Sequence, residues 1–298
     1  MLGLGLVSLV AAAWFGCPYF GGTGYYADAI VTAPVDPNSR AYVQAAVDAG
    51  NRDGFWIAPR PVEYVNVAND RTPPHRVRQR VAYHRFPFSI PWRRDFWIEP
   101  LSDAHAIVLQ RQACTVYELY DAAFAGDTVA AYSGARWRLD RPFEPLAPGN
   151  PSAMASGLSL YAGIARWEEV ARGEVDHALN WAAPAGTVSQ WHFVRPASDT
   201  DGLAYKGSSG YQLPYGARLR LRASFDTSRF GPQSAAIARA MKTYGIYLAD
   251  TARTNELYNA MSDGYNKCDA GDLAALESIH LTDFDVLALG PILRVPGR

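Results

Sequence analysis

Hydrophobic and polar residues alternate along much of the chain with a period of two, which is typical of β-strands. Four runs show this alternation: residues 105–110, 115–121, 173–181 and 217–226. In the first run His105 shares a face with Ile107, and in the second Glu118 shares a face with Val116. The runs predict four strands, of which the first two form a hairpin around a short polar break.

Helical spacing is confined to three stretches: residues 36–50, residues 234–245 and a stretch that begins near Asp269. We expect the second of these helices to start at a Ser234 cap and to end at Gly245. Many short strands with few helices predict a mainly β fold, specifically an antiparallel β-sandwich of jelly-roll type with a few peripheral helices. Since no repeat or linker divides the chain, we expect a single domain over residues 17–298.

The first 16 residues carry no charge. This segment is shorter than a membrane span and has about the length of the apolar part of an export signal. We therefore predict that residues 1–16 are an export signal or anchor, with cleavage after the small residues Ala11 to Ala13 or a lipid on Cys17. The mature protein would then be periplasmic, on the cell surface or extracellular, and would contact the membrane only through its N-terminus. A buried N-terminal helix or strand in a cytosolic protein is the alternative.

Composition narrows the partners and the redox setting. A net charge of −1 gives no global reason to expect a nucleic-acid partner, and the 17 Tyr, 12 Phe and 8 Trp suit strands and sugar-binding faces equally. The chain has three cysteines. In an oxidising compartment Cys114 and Cys268 are the predicted disulfide, and two unpaired buried thiols are the alternative.

Four sequence blocks together resemble a widespread group of exported bacterial β-rich proteins of uncharacterised function. The blocks are PVDPNSRAYV, the run H…VLQ…C…YELYDA, RWEEVARGEVDHAL and GARLRLRASFD…ARAMKTYGIYLAD. The resemblance covers most of the chain after about residue 30 and implies one exported β-rich domain, with no established activity to carry over.

The chain departs from the pattern of that group at three places. Met154 stands where the group has an acid, Asp199 stands where it has a histidine, and Asp250 is followed by Thr251 and Ala252 instead of Asn-Gly. The resemblance therefore implies that polar groups of the site in those proteins are missing here.

The sequence lacks GxSxG, GxxxxGK[ST] and HExxH, so the candidate catalytic groups are carboxylates. Glycoside hydrolysis needs one protonated and one ionised carboxyl group. We predict a catalytic set of Glu118, Glu168 and His177 in a glycan-facing site. A polysaccharide lyase would instead use His177 or His105 with a tyrosine such as Tyr120 as acid or base. In the alternative, Glu118 pairs with an arginine and His177 is a core residue.

A basic stretch from Arg71 to Arg94 contains seven arginines and no acid. The predicted binding residues are two sets of arginines that each share a strand face, an interleaved tryptophan, and a histidine expected to be exposed at a strand start: Arg76, Arg78, Arg80, Arg218, Arg220, Arg222, Trp92 and His105. Such faces suit a glycan, an acidic polymer or a cell-envelope protein; the alternative is a solvated outer surface.

The sequence thus predicts an exported protein that engages glycan, either as a hydrolase or lyase or as a non-catalytic surface or scaffold protein. No cofactor and no metal-ligand set is predicted. Two groups of oxygen donors could bind calcium: the DTDG run 199–202, and the set Asp263, Asn266, Asp269 and Asp272. Neither group has the spacing of a complete calcium loop, and these residue types are common in turns.

Overall fold

The computed structural model describes residues 16–58, 63–80, 88–202, 210–261 and 268–296. The protein is mainly β, as predicted, with 33% strand and 18% helix. Its helices are α1 (Ser39–Asp48), α2 (Trp167–Arg172), α3 (Pro232–Thr243) and α4 (Ala270–Leu273). None of the helices in these ranges combines the length and the apolar character of a membrane span.

The strands follow one another along the whole of the described chain. In chain order they are β1 (Phe55–Ile57), β2 (Glu63–Ala68), β3 (Pro74–Gln79), β4 (Ser89–Pro91), β5 (Ala106–Gln110), β6 (Thr115–Tyr120), β7 (Ala123–Ala125), β8 (Thr128–Ala131), β9 (Ser133–Arg138), β10 (Ala165–Arg166), β11 (Leu179–Pro184), β12 (Val188–Phe193), β13 (Leu213–Tyr215), β14 (Arg218–Leu221), β15 (Ile246–Ala252), β16 (Asn255–Leu257), β17 (Asn259–Met261), β18 (Phe284–Val286) and β19 (Leu293–Arg294).

These strands form two six-stranded sheets, β1-β16-β11-β15-β14-β18 and β10-β17-β2-β5-β6-β9, with smaller sheets β13-β12-β19 and β4-β3-β8-β7. One sheet curls into a half-barrel. Every sheet contains a parallel pair, for example β11 with β15 and β2 with β5. The architecture is therefore not the antiparallel jelly-roll sandwich that we predicted. Parallel neighbours require long crossovers, and the segment between β11 and β15, which includes α3, is one of them.

The β5–β6 hairpin forms as predicted and has both faces buried. Ile107 pairs with Glu118, and Val108 pairs with Tyr117. Ile107 and Val116 belong to the main core, which both six-stranded sheets share. Val108 and Tyr117 point the other way, into a smaller core beneath the four-stranded sheet. This double burial explains why the run is apolar at nearly every position.

The three predicted helices form as α1, α3 and α4, of which α4 is one turn that continues as a 3-10 helix over Ala274–Ser278. Ser234, however, is not the cap of α3. This helix begins at Pro232, after Gly231. The Asp272 carboxylate caps it instead, because the backbone N–H groups of Gln233 and Ser234 donate to it over 2.8 and 3.3 Å.

The strand predicted at residues 173–181 forms only at its C-terminal end. Helix α2 ends at Arg172, where Gly173 adopts a φ of 77° and closes the helix. Strand β11 begins at Leu179, so His177 lies in the connecting loop. The period-two pattern was misleading here because a short loop passes through the core, where alternate residues are buried as in a strand.

A disulfide joins Cys17 to Cys114, with the Cα atoms 5.4 Å apart. The predicted bridge from Cys114 to Cys268 is therefore wrong, because the Cys114 sulfur is already bonded. A lipid on Cys17 is excluded by the same reasoning, since it would need the same sulfur atom. Disulfides persist in oxidising compartments, so the Cys17–Cys114 bridge is consistent with export. The predicted leader lies outside the described residues, apart from Gly16.

Candidate functional site

A pocket of about 690 Å³ lies between the two six-stranded sheets. Strands β6 and β9 with the residues next to them supply one wall, and strand β15 supplies another. The rest of the lining comes from the segments 103–105, 151–155 and 199–201. Five of the fifteen lining residues are aspartates: Asp103, Asp121, Asp199, Asp201 and Asp250. A volume in this range is typical of sites for small molecules, and the lining makes this pocket acidic.

Asp250 reaches the pocket from β15, just after an irregularity in its pairing with β11. The register shifts between Leu248 and Asp250, and such bulges redirect side chains. The backbone N–H of Ala155 donates to Oδ2 of Asp250 over 3.1 Å, and the N–H of Thr251 donates to Oδ1 over 2.8 Å. Burial and, to a lesser extent, the charge of Asp201 raise the pKa of Asp250 to about 7, and the N–H groups of Ala155 and Thr251 only partly oppose this shift.

Two tyrosines give the pocket an aromatic side. The rings of Tyr120 and Tyr132 lie edge to face with centroids 5.8 Å apart. On its other side, Tyr120 lies 5.8 Å from the ring of His105. Aromatic surface beside hydroxyl and carboxylate groups suits an amphipathic ligand such as a sugar ring.

His105 lies in the pocket wall, but it is buried, in contrast to the predicted exposure at a strand start. Its Nε2 lies 3.1 Å from the carbonyl oxygen of Ala153. Its Nδ1 lies 2.9 Å from Oε2 of Glu99 and 3.9 Å from Oε1 of Glu63. Burial lowers the pKa of His105, but the two carboxylates outweigh burial and raise this pKa to about 9. Neither of these glutamates is among the residues predicted from the sequence.

Glu118 is completely buried and is not part of the pocket lining. Its Oε1 accepts hydrogen bonds from the Ser159 hydroxyl at 2.6 Å and the Tyr161 N–H at 2.8 Å, and its Oε2 accepts one from the Leu160 N–H at 2.9 Å. Burial raises the pKa of Glu118 to about 7. A hydroxyl and two amides thus take the place of the expected arginine, and Glu118 anchors residues 159–161 to β6.

The two other members of the predicted catalytic set also lie outside the pocket lining. His177 is completely buried, with Nε2 3.0 Å from Oε2 of Glu169. The other oxygen of Glu169 forms an ion pair with buried Arg166. Glu168 is half-buried beside them on α2. The structure therefore does not bring Glu118, Glu168 and His177 together at a cleft; His177 belongs to a charged cluster in the core.

The arginine face on β3 is exposed as predicted. Arg76, Arg78 and Arg80 are on the outside, and Val77 between them is buried. Arg80 pairs with Asp121 at 2.5 Å, so one end of this face adjoins the pocket wall.

The second predicted arginine face, on β14, is occupied by contacts within the chain. Arg218 donates to the carbonyl oxygens of Asp28 and Tyr244, Arg220 donates to three carbonyls between residues 30 and 33, and Arg222 pairs with Asp285. Arg218 and Arg220 hold the N-terminal segment against the sheet, and Arg222 links the end of β14 to β18, its neighbour in the same sheet.

Trp92 is completely buried and packs against Phe96 and Phe124. Its predicted role in binding is therefore wrong, because none of its surface reaches the solvent. Where the structure describes this stretch, the arginines of β3 form its outer face, and the apolar residues that include Val77, Ile90 and Trp92 belong to the smaller core beneath it.

The oxygen-rich segments weighed for calcium have other roles. Asp199, Thr200 and Asp201 line the pocket, and Gly202 follows them with a φ of 71°, where a Cβ would lie 2.1 Å from the Trp191 ring. In the second group, Asp269 caps α4 and Asp272 caps α3, and Asp263 and Asn266 lie outside the described residues.

The fold and the site define a mainly β protein with an acidic pocket between two mixed sheets. No protein-family model, no curated protein and no solved structure matches this chain. The function must therefore be inferred from the chemistry of the pocket.

Proposed function

We propose that this protein is exported and binds a glycan in the acidic pocket, where it hydrolyses a glycosidic bond with Asp250 as the general acid. One observation supports this most strongly: the carboxyl group of Asp250 lines a ligand-sized pocket, and the pKa of this group is about 7. A carboxyl group that still holds a proton near neutral pH can give it to a leaving-group oxygen.

Hydrolysis also needs an ionised carboxylate, and Asp201 suits this role. It lines the same pocket, its charge acts on Asp250, and the Tyr215 hydroxyl donates to its Oδ1 over 3.4 Å. A hydrogen bond of this kind favours the ionised form. In the reaction Asp250 protonates the leaving oxygen as the C–O bond breaks. Asp201 removes a proton from the water that attacks the anomeric carbon, and the oxygen of this water becomes the new hydroxyl group. Asp201 then releases its proton to solvent, and solvent reprotonates Asp250 for the next turnover.

The rest of the lining supports a sugar as the ligand. Tyr120 and Tyr132 offer aromatic surface, and Ser133 and Thr200 offer hydroxyl groups that can bond to sugar hydroxyls. The disulfide and the resemblance to exported bacterial proteins support a location outside the cytoplasm. Glycans are abundant there, which fits the proposed substrate class.

Turnover is expected to fall as the pH rises through about 7. Only the protonated form of Asp250 can act as an acid, and its pKa in the folded protein is about 7. The measurement is the initial rate of reducing-end formation from a cleaved polysaccharide, from about pH 5 to about pH 9 at constant ionic strength. A rate that is constant or still rising across the alkaline half of this range would exclude Asp250 as the acid.

A further inference from the structure

Glu63, Glu99 and His105 form a buried cluster of ligand atoms behind the pocket wall. One nitrogen or oxygen atom from each lies within 4.8 Å of those from the other two. The side chains expose only 4% to 6% of their surface. Two buried carboxylates this close together are costly unless a positive charge lies beside them, and either the imidazolium of His105 or a metal ion would supply this charge.

The backbone fixes this arrangement. Strands β2 and β5 run parallel, and Val65 pairs with Ile107. Glu63 and His105 each lie two residues before this pair, so the same register brings them next to each other. The N–H of Glu99 donates to the carbonyl of His105 over 2.9 Å, and the N–H of His105 donates to Oε2 of Glu99 over 2.9 Å. Both glutamates are thus held in place before any ion binds.

The imidazole of His105 is oriented as in a metal ligand. A carbonyl oxygen can only accept, so the contact of Nε2 with Ala153 places a proton on Nε2. Nδ1 then points towards the two carboxylates, yet it has no hydrogen-bond partner in the described part of the chain. The Glu99 oxygen at 2.9 Å lies off the line of a hydrogen bond and already accepts from the His105 amide. Metal-binding histidines commonly donate their second ring N–H to a carbonyl in this way.

We propose that Oε1 of Glu63, Oε2 of Glu99 and Nδ1 of His105 bind a divalent transition-metal ion, with Zn²⁺ as the probe. The ion would displace the proton from Nδ1 into solvent, so that two carboxylates and a neutral imidazole balance the charge of a divalent cation. An imidazole ligand favours Zn²⁺ over Ca²⁺ and Mg²⁺, which prefer oxygen alone.

The distances already approach those of such a site. Around a tetrahedral Zn²⁺ with bonds of about 2.1 Å, neighbouring ligand atoms are about 3.4 Å apart. Nδ1 lies 2.9 Å from Glu99 and 3.9 Å from Glu63, which brackets this value. Shifts of about half an ångström, within the freedom of the glutamate side chains, would complete the three-ligand set.

The ion would sit behind the ring of His105, because this histidine lines the pocket and the two glutamates do not. It would fix the His105 ring against Tyr120 and tie β2, β5 and the segment that carries Glu99 together. This role does not depend on glycan hydrolysis, so the metal site can be tested separately from the proposed function.

The test is equilibrium dialysis of the chelator-treated, full-length protein against Zn²⁺, with the bound metal measured by mass spectrometry. The parent is expected to bind one Zn²⁺ per chain. Glu63→Gln, Glu99→Gln and His105→Gln should each weaken binding at least about 100-fold, because even the loss of an outer partner costs about 10–100-fold. The matched control is Asp70→Asn, which removes an exposed carboxylate on the turn after β2, outside both the cluster and the pocket lining, and should retain the stoichiometry.

The proposal would be overturned if the parent did not bind Zn²⁺ or if all three glutamine variants still bound it. Nδ1 of His105 would then carry a proton in place of a metal ion. If the variants do not fold, the visible spectrum of the parent with Co²⁺ decides. The proposal is supported if Co²⁺ shows the absorption bands of a low-symmetry site and one equivalent of Zn²⁺ removes these bands. It is overturned if the spectrum is that of aqueous Co²⁺.

Discussion

Replacing Glu118 by alanine is expected to lower the free energy of unfolding by about 3–5 kcal/mol. The change leaves the Ser159 hydroxyl and the backbone N–H groups of Leu160 and Tyr161 buried without their acceptor. Each such group costs about 1–3 kcal/mol, and the cavity adds to this. Urea denaturation should show a lower midpoint with an unchanged slope.

The matched control is Glu144→Ala, an exposed glutamate whose loss should change stability by less than about 0.5 kcal/mol. The pH dependence has a definite sign. Because burial raises the pKa of Glu118 from 4.5 to about 7, the folded protein holds a proton that the unfolded chain releases. The stability it contributes is therefore greatest below about pH 4.5 and declines as the pH rises through about 7. A loss under about 1 kcal/mol in Glu118→Ala would contradict the anchoring role.

Glu169→Gln is expected to destabilise the protein by a similar amount, about 3–5 kcal/mol. Glu169 pairs with Arg166 and His177, and all three are buried. Without the carboxylate charge, the buried Arg166 guanidinium would lose its ion pair with Glu169. Thermal or urea unfolding of the variant measures this cost.

Glu168→Gln is the control for this cluster, since it changes the neighbouring half-buried glutamate of α2 and should cost less than about 1 kcal/mol. Burial would raise the pKa of Glu169, but Arg166 and His177 outweigh it and hold the pKa at about 2. The stability from Glu169 is therefore present above its ordinary pKa of 4.5 and is lost as the pH falls towards 2. Equal losses in the two variants would contradict the ion-pair account.

Local patterns predicted the parts of the fold that local interactions determine. The hairpin of β5 and β6, the two faces of its strands and the helices α1 and α3 follow from periodicity, whereas the start of α3 is capped by Asp272, which is distant in sequence. The same pattern failed at residues 173–178, where a buried loop alternates like a strand. It also could not reveal the parallel pairing of β2 with β5, because long crossovers leave no local signal.

The pocket escaped prediction because its aspartates come from separate loops and strand ends. Asp103, Asp121 and Asp250 become neighbours only when the two sheets meet. The sequence did hold one signal: Met154, Asp199 and Thr251, where the chain departs from the blocks that it resembles, all line this pocket. The resemblance alone implies that these departures remove a site, whereas in the structure all three residues lie in the wall of the pocket.

The catalytic set predicted from the sequence lies outside the pocket for a physical reason. Glu118 and His177 attracted attention because polar groups on inward faces are costly without partners. The structure supplies those partners within the core, through the amides of residues 160 and 161 for Glu118 and through Glu169 for His177. An inward polar residue in a sequence therefore indicates a buried partner as readily as a catalytic role.

The most direct test of the acidic pocket is the rate of polysaccharide hydrolysis by the parent protein and by Asp250→Asn, with Asp70→Asn on an exposed turn as the control. A panel of neutral, acidic and amino polysaccharides is incubated with each protein, and new reducing ends are followed. The account predicts that the parent cleaves at least one polymer, that Asp250→Asn is at least about 100-fold slower while folded, and that Asp70→Asn retains the parent rate. No cleavage of any polymer, or equal rates for the parent and Asp250→Asn, would contradict it. A non-catalytic scaffold that binds through the exposed arginines of β3 would then be the better account.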